Sequence, residues 1–393
     1  MQSEHFDIVI NGGGMVGAAL ACGLTRHNFR VAVIERVEPA PFDASAQPDI
    51  RISAISRSSV ALLEEIDAWS EVLARRCAPY RHLETWEWQS AKTEFSAEML
   101  NLPELGFMVE NNVLQRVLWE KMQAIGVVIF SPATLSSMDY DSEREQWQVG
   151  LNQGSRLSCS LLVGADGAHS QVREGAGIGI QGWDYQQACM LISVECQYAP
   201  GDITWQQFTP QGPRAFLPLY DRYASLVWYD SVARINQLKK LPLAQLDQQI
   251  AQHFPACVGQ VKSLGSGAFP LTRRHANSYV KPGIALVGDA AHTINPLAGQ
   301  GVNLGYRDID ALIDVLVSAR RMTKPWWRIE TLKGYQRKRY SDNLMMQSGM
   351  DLFYFAFSNA HPPLRIIRNI GLMAAQRGGW LKRKALSYAL GLK

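Results

Sequence analysis

DIVINGGGMVGAALACGLTRHNFRVAVIE, residues 7–35, decides the fold. DIVI (7–10) is an apolar run of strand length, GGGMVG (12–17) is a turn, an apolar helical stretch runs through Leu24, and VAVIE (31–35) is a second buried strand. This is a β-α-β unit, the opening of a doubly wound sheet. Gly12-Gly13-Gly14-Met15-Val16-Gly17 fits G-x-G-x-x-G between strand and helix. Gly12 permits the tight turn, Gly14 lets the backbone approach a pyrophosphate, and Gly17 lets the helix close on the strand. Free N–H groups at the helix start then face the phosphate charge. Glu35 ends the second strand, where a carboxylate accepts hydrogen bonds from ribose hydroxyls and repels a 2′-phosphate. The site therefore favours FAD or NAD over NADP. Arg36, counted with the nucleotide site, lies past the strand end and weakens that preference only slightly.

Outward from this unit, residues 39–50 (PAPFDASAQPDI) read as a loop, and the pattern predicts a helix over 58–76. Alternating and aromatic runs at 80–100 and 181–230 predict strands of a separate antiparallel sheet. A helix at 243–254 and a buried strand at 283–288 follow, and from Gly301 the chain reads as mostly helical. The expected fold is α/β (α+β). A discontinuous Rossmann-like nucleotide domain (1–78, 101–180, 270–330) carries an inserted β-sheet domain (79–100, 181–269), and a helical region (331–393) closes the chain.

Two further motifs favour FAD over NAD. Gly164-Ala165-Asp166-Gly167-Ala168-His169-Ser170 follows the apolar run LLVGAD, with Arg173 just after. Gly288-Asp289-Ala290-Ala291-His292 follows GIALVG and continues through Pro296-Leu297-Ala298-Gly299-Gln300-Gly301-Val302-Asn303. An acid at the end of a buried strand needs a polar partner. The ribityl chain of FAD would supply one for Asp289. The glycines at 299 and 301 begin a helix whose positive end would face the pyrimidine edge of the flavin, favouring the reduced, negative cofactor.

With 47% hydrophobic residues the composition is that of an ordinary globular protein, and a net charge of +3 argues against a nucleic-acid partner. Six scattered cysteines without a C-x-x-C pair fit reduced thiols in the cytoplasm, and no histidine spacing suggests a metal site. The polar opening MQSEHF is no signal peptide, and no run approaches the roughly 18 apolar residues of a membrane span.

With these three motifs in order the chain is similar to the class A flavoprotein monooxygenases, whose best-known member is p-hydroxybenzoate hydroxylase; GFMVENNVLQRVLW (106–119), QQFTPQGPRAFLPL (206–219) and FPLTRRHA through GYRD (269–308) carry a closer match inside that family, and RISAIS (51–56) resembles one branch of it. Within that family the whole chain most resembles the ubiquinone-biosynthesis hydroxylases. Asn295, where many relatives carry histidine, favours their demethoxyubiquinol branch. The resemblance implies that Gly12, Gly14, Gly17 and Glu35 hold the ADP half of FAD, with Arg51 and Gln115 near the pyrophosphate and flavin. It places Asp166 between the nucleotide site and an electron donor, and Gly288 and Asp289 at the ribityl chain. Pro296 and the backbone from Gly299 through Gln300, Gly301 and Val302 to Asn303 would meet the isoalloxazine. It implies monooxygenation through a flavin C4a-hydroperoxide, with molecular oxygen as co-substrate and a polyprenyl benzoquinol (demethoxyubiquinol) as substrate. Such chemistry needs no catalytic acid, base or metal from the protein. Phe208, Phe216, Pro218 and Leu297 are expected on the wall of the cavity between flavin and inserted sheet.

The donor stays open among NADPH, NADH and a protein reductant, because no second G-x-G-x-x-G occurs. Three rival readings stay open: a hydroxylase of another phenol, a flavin-dependent prenyl reductase and a non-catalytic FAD-binding scaffold. A flavin halogenase does not fit, since Trp86-Glu87-Trp88 continues as Gln89-Ser90 rather than W-x-W-x-I-P. From Leu352 to Lys393 there is no acid. There Arg365, Arg368, Arg377, Lys382, Arg383, Lys384 and Lys393 alternate with Ile366, Ile370, Met373, Trp380, Leu386 and Leu390. Such a tail suits a membrane surface or other ubiquinone-biosynthesis proteins, placing the chain in the cytoplasm or peripherally on the inner face of the membrane.

Overall fold

The computed structural model describes residues 4–294, 301–359 and 361–392. The opening strand Glu4–Asn11 lies in the middle of the first sheet, parallel to Val31–Ile34 on one side and Arg156–Gly164 on the other. Val128–Phe130 and Ile284–Leu286 extend that sheet outward, also parallel. Helix Met15–Arg26 packs on it as the crossover, buried all round from Gly17 to Leu24. Its far side meets helix Gly301–Arg321 so closely that a Cβ on Gly23 would stand 2.5 Å from Ile313 Cδ1. A glycine inside a helix costs about 1 kcal/mol against alanine, and this contact is its structural reason.

The predicted helix over 58–76 is two helices, Arg57–Glu65 and Trp69–Arg75, broken where Asp67 takes φ 54°. A small sheet of Ile52–Ser56, Gly106–Glu110 and Cys77–Tyr80 lies beside them. The third sheet holds eight strands, nearly all antiparallel, drawn from 82–96, 180–231, 261–276 and 292–293. Its backbone is the antiparallel pair Ile180–Cys196 and Val261–Ala276, running from Ile180 opposite Ala276 to Cys196 opposite Val261 with register shifts between Asp184 and Ala188 and between Ser193 and Val194.

The two faces of this sheet differ. On Tyr223–Ser231, Ala224, Leu226 and Trp228 meet Ile235, Leu246 and Ile250 of the covering helices Val232–Leu238 and Leu243–His253. Val227 and Tyr229, one residue out of step, join Cys189, Ala215 and Leu271 on the opposite face. Phe269, two residues before Leu271, lies on that second face and stacks under the Arg51 guanidinium at 4.5 Å. The second face thus looks toward the nucleotide layer. The chain ends in helices Ile329–Phe357, Pro362–Gln376 and Gly379–Ala389. All six cysteines are free. Among the described residues no helix is long and apolar enough to cross a membrane, and no group of side chains has the makings of a metal site.

Candidate active site

The glycine turn has three different steric demands. Gly12 takes φ 109°, and a Cβ there would stand 2.4 Å from the Ala165 carbonyl oxygen. A Cβ on Gly17 would stand 1.9 Å from the Gly12 carbonyl oxygen, whereas one on Gly14 would meet nothing within 4 Å. Two glycines therefore let protein pack on protein, and the third clears space for something else. Gly14 leaves the helix start without a side-chain cap, so its first N–H groups face that space. Glu35 lies just past its strand and accepts hydrogen bonds from the N–H groups of Gly13 (2.6 Å), Arg36 (2.8 Å) and Val37 (3.2 Å). The Arg36 side chain is exposed. Gln115 donates to the Gly13 carbonyl at 3.2 Å, and Trp119, which the sequence reading did not single out, donates to the same oxygen at 2.7 Å.

Asp166 sits beside this loop, at the end of Arg156–Gly164, with its carboxylate engaged by protein. It accepts from Asn11 Nδ2 (2.8 Å), the Gln171 N–H (2.7 Å), the Val172 N–H (3.3 Å) and the Ser170 hydroxyl. These bonds cap the short helix Gln171–Gly175 and tie two strand ends together. Asp166, which the resemblance sets between the nucleotide site and a donor, caps this helix beside the glycine loop. Buried Arg173 donates to the carbonyls of Ala168 (2.9 Å) and Ala290 (3.1 Å), joining this motif to the next.

Gly288 (φ 57°) and Gly305 both close on Val16 of the glycine turn, with Cβ positions 3.4 and 2.6 Å from its methyls. All three motifs converge there. Asp289 is ringed by protein yet keeps its side chain open to the cleft. Burial raises its pKa, against the opposing charges of His292 and Arg51. Among the described residues no hydrogen bond reaches its carboxylate, in contrast to Asp166. Arg51 is exposed on the other side of the cleft. Helix Gly301–Arg321 begins here, and a Cβ on Gly301 would meet nothing within 4 Å. Val302 lies in its half-buried first turn. Asn303 turns inward and is fully buried. It accepts from the Ser56 N–H (2.9 Å) and the Ser59 hydroxyl (2.7 Å), and donates to the Ala54 carbonyl (2.7 Å). Pro296, Leu297, Gly299 and Gln300, with Asn295, lie outside the described residues.

The residue that organises this third motif is Asp308, which the sequence reading did not name. Fully buried on helix Gly301–Arg321, it accepts from the Gly288 N–H (3.1 Å), Arg339 Nε (2.9 Å), Asn343 Nδ2 (2.9 Å) and His292 Nε2. Burial alone would raise its pKa. His292 first, then Arg339 and Asn343, outweigh burial and bring it down to about 2. The available signal was an acid four residues from Leu304 and from Leu312, on the helix face that enters the core.

Of the expected cavity wall, Phe216 and Pro218 lie elsewhere. Phe216 stacks on Trp205 at 5.7 Å in the helix-covered face, and Pro218, two residues on, shares that face. Leu217 between them faces the cleft with Ala215, because side chains alternate along a strand. Phe208 stacks on Phe357 at 4.1 Å, against the C-terminal helices. Cavities of about 370 and 390 Å³ open near Arg26 and Met322, at the far ends of helices whose N-termini form the cleft. They have no part in the nucleotide site.

An uncapped helix start with clearance at Gly14, a pinned acid at Glu35, an open acid at Asp289 and clearance around Gly301 together fit an extended dinucleotide. With an antiparallel sheet across the cleft, they define a two-layer flavin-type oxidoreductase. Residues 5–346 match the FAD binding domain family, and the chain belongs to that family. It is 59% identical over 393 residues, all of both chains, to the 3-demethoxyubiquinol 3-hydroxylase of Escherichia coli (strain K12). It is 30% identical to a mitochondrial ubiquinone biosynthesis monooxygenase of Rattus norvegicus, over 98% of this chain and 90% of that one. Its fold is that of p-nitrophenol 4-monooxygenase from Pseudomonas putida, with a TM-score of 0.82, 18% identity and full coverage of both chains. The protein is an enzyme, an FAD-dependent monooxygenase of the ubiquinone-biosynthesis hydroxylase family.

Proposed function

We propose that this enzyme hydroxylates the aromatic ring of a polyprenyl benzoquinol, demethoxyubiquinol, in ubiquinone biosynthesis. The observation that carries the reading is whole-length identity of 59% to the hydroxylase of that name, over a cleft whose parts fit FAD. Bound FAD, once reduced, supplies the centre that activates molecular oxygen; one oxygen atom enters the ring and the other leaves as water. The two electrons come from NAD(P)H or a protein reductant. Gly12, Gly14 and the first turn of helix Met15–Arg26 would hold the pyrophosphate, Glu35 the adenosine ribose and Asp289 the ribityl hydroxyls. The start of helix Gly301–Arg321 would favour negative charge on the reduced ring. Leu217, Ala215 and Val227 give the substrate ring an apolar wall that excludes water.

The acid-free helices Pro362–Gln376 and Gly379–Ala389 support contact with a membrane surface or with other proteins of the pathway, from the cytoplasmic side. Of the tail residues, Arg377, Arg383 and Lys384 are exposed beside Ile366, Ile370, Met373 and Trp380, while Arg368, Lys382, Leu386 and Leu390 are buried and take no part. The test is expression in a host lacking the last ring hydroxylation of ubiquinone synthesis, with quinones measured by mass spectrometry. Restored ubiquinone with loss of the demethoxy precursor is the expected result. A persisting precursor beside yellow, FAD-loaded protein would overturn the substrate. The purified protein should also sediment with anionic vesicles, and failure to do so would remove the membrane contact.

A further inference from the structure

The last turn of helix Gly379–Ala389 and the residues after it pack against side chains that hold the third cofactor motif. Leu386 and Leu390 are buried with Ala54, Leu105 and Met108 of the small sheet and its approach. Ala54 is the residue whose carbonyl accepts from Asn303. Gly391 takes φ 72° and lies so close to Ser58 that a Cβ there would stand 2.3 Å from its hydroxyl oxygen. Ser58 falls in sequence between Ser56 and Ser59, the two donors to Asn303.

Two polar paths lead from this end of the chain to the turn 288–292. Along the first, the Tyr388 hydroxyl donates to Asp342 Oδ1 (2.9 Å), Arg339 Nη1 donates to Asp342 Oδ2, and Arg339 Nε donates to Asp308 (2.9 Å). Asp308 in turn holds the Gly288 N–H and His292. Burial first, and Asp342 after it, push the Tyr388 phenol up to about 12, so it keeps its proton and donates. Along the second path, Arg307 donates to the carbonyls of Ala389 (3.0 Å) and Tyr388 (3.3 Å), at the open carbonyl end of the helix. Arg307 is the neighbour of Asp308 and stands four residues after Asn303 on the same helix.

The guanidinium of Arg339 is planar, and Asp308, Asp342 and Asn343 hold it on three sides. Tyr388 fixes the one of these partners that is part-exposed, Asp342. Freed from Tyr388, that carboxylate turns in water, the fork tilts, and Asp308 shifts with it. Gly288 moves next, and Asp289 follows it directly in the chain.

We propose that Tyr388 and Arg307 are positioning residues for FAD. Through Asp342, Arg339 and Asp308, the end of the chain sets the turn that carries Asp289 and the first turns of helix Gly301–Arg321, and so the affinity of the cleft for its cofactor. The inference is independent of which ring the enzyme hydroxylates.

The test dilutes the FAD-loaded, full-length enzyme and follows flavin fluorescence as cofactor is released, which gives the dissociation constant; thermal unfolding is measured alongside. Tyr388→Phe removes a single hydroxyl at a position 38% exposed, and Arg307→Gln removes the grip on the helix end. Each should weaken FAD binding by about three- to tenfold, the size of one hydrogen bond to a charged or buried partner. Tyr388→Phe added to Asp342→Asn should weaken binding no further than Asp342→Asn alone, since both break the same path. Ile250→Ala, buried under the helix-covered face of the large sheet, should lower the unfolding temperature at least as much while leaving FAD affinity within about twofold. Unchanged affinity in both Tyr388→Phe and Arg307→Gln, or full additivity of Tyr388→Phe with Asp342→Asn, would overturn the proposal. An equal loss of FAD in Ile250→Ala would overturn it too, because cofactor binding would then follow overall stability.

Discussion

Asp308 and Glu87 grip two C-terminal helices with nearly the same partners, yet to different ends. Asp308 holds helix Ile329–Phe357 through Arg339 and Asn343, four residues apart. Glu87 holds helix Pro362–Gln376 through Arg365 (3.0 Å), Arg368 (2.7 Å) and Asn369 (2.7 Å), the first and last again four apart. In both cases burial alone would raise the carboxyl pKa and the facing arginines and asparagine help to lower it, with His292 added at Asp308. The difference lies in what else each acid holds. Asp308 also carries the Gly288 N–H and His292, so it joins a helix to the cofactor turn. Glu87 joins a helix only to the edge of the sheet. That helix is inverted, with Arg368 and Asn369 turned inward and Leu364, Ile367 and Ile370 outward. The same chemistry therefore sets cofactor geometry in one region and the display of an apolar surface in the other.

The largest expected effect separates the two grips directly. Asp308→Ala takes from buried Arg339 its buried partner, leaving only the part-exposed Asp342 carboxylate, and strips His292 and the Gly288 N–H of theirs; it should cost about 3–5 kcal/mol, together with loss of FAD, read by unfolding and by release of flavin fluorescence. Glu87→Ala should cost about 2–3 kcal/mol with FAD retained. Equal flavin loss in both would end the distinction.

A smaller effect appears on acidification. The pKa of Asp308 is lowered in the folded state to about 2, so its stabilisation is present above the unfolded value near 3.9 and disappears as pH falls toward 2. The stability gap between the native enzyme and Asp308→Asn should accordingly shrink by about 2 kcal/mol between pH 5 and pH 2.5. A gap that stays constant over that range would mean that the carboxylate carries no charge in the folded state.

The smallest effect lies within the peripheral grip. The side chain of Arg365 is 36% exposed and that of Arg368 only 6%. Arg365→Ala should cost less than about 1 kcal/mol, measured by thermal unfolding, and Arg368→Ala clearly more. The reverse order would show that Arg365 carries the grip.

The β-α-β unit, the steric need for Gly12 and Gly17, the clearance at Gly14 and the helical end of the chain were all legible in the sequence. Each follows from interactions within a few residues: strand and helix periods, a positive φ, a backbone that must pass close to another. The roles of the acids were not legible in the same way. Asp166 and Asp289 both follow an apolar strand, and only the packed chain shows that the first is consumed in capping while the second stays open to the cleft. Alternation made either Phe216 or Leu217 the inward residue, and the covering helices 232–238 and 243–253 decided which. Arg368 and Lys382 read as surface cations beside apolar neighbours, but Glu87, some 280 residues earlier in the chain, turns Arg368 and its helix inside out. Local sequence determined the elements and the steric demands of the glycine loop. Tertiary structure alone decided which face is covered and which charge is matched, because both depend on partners brought together from distant parts of the chain.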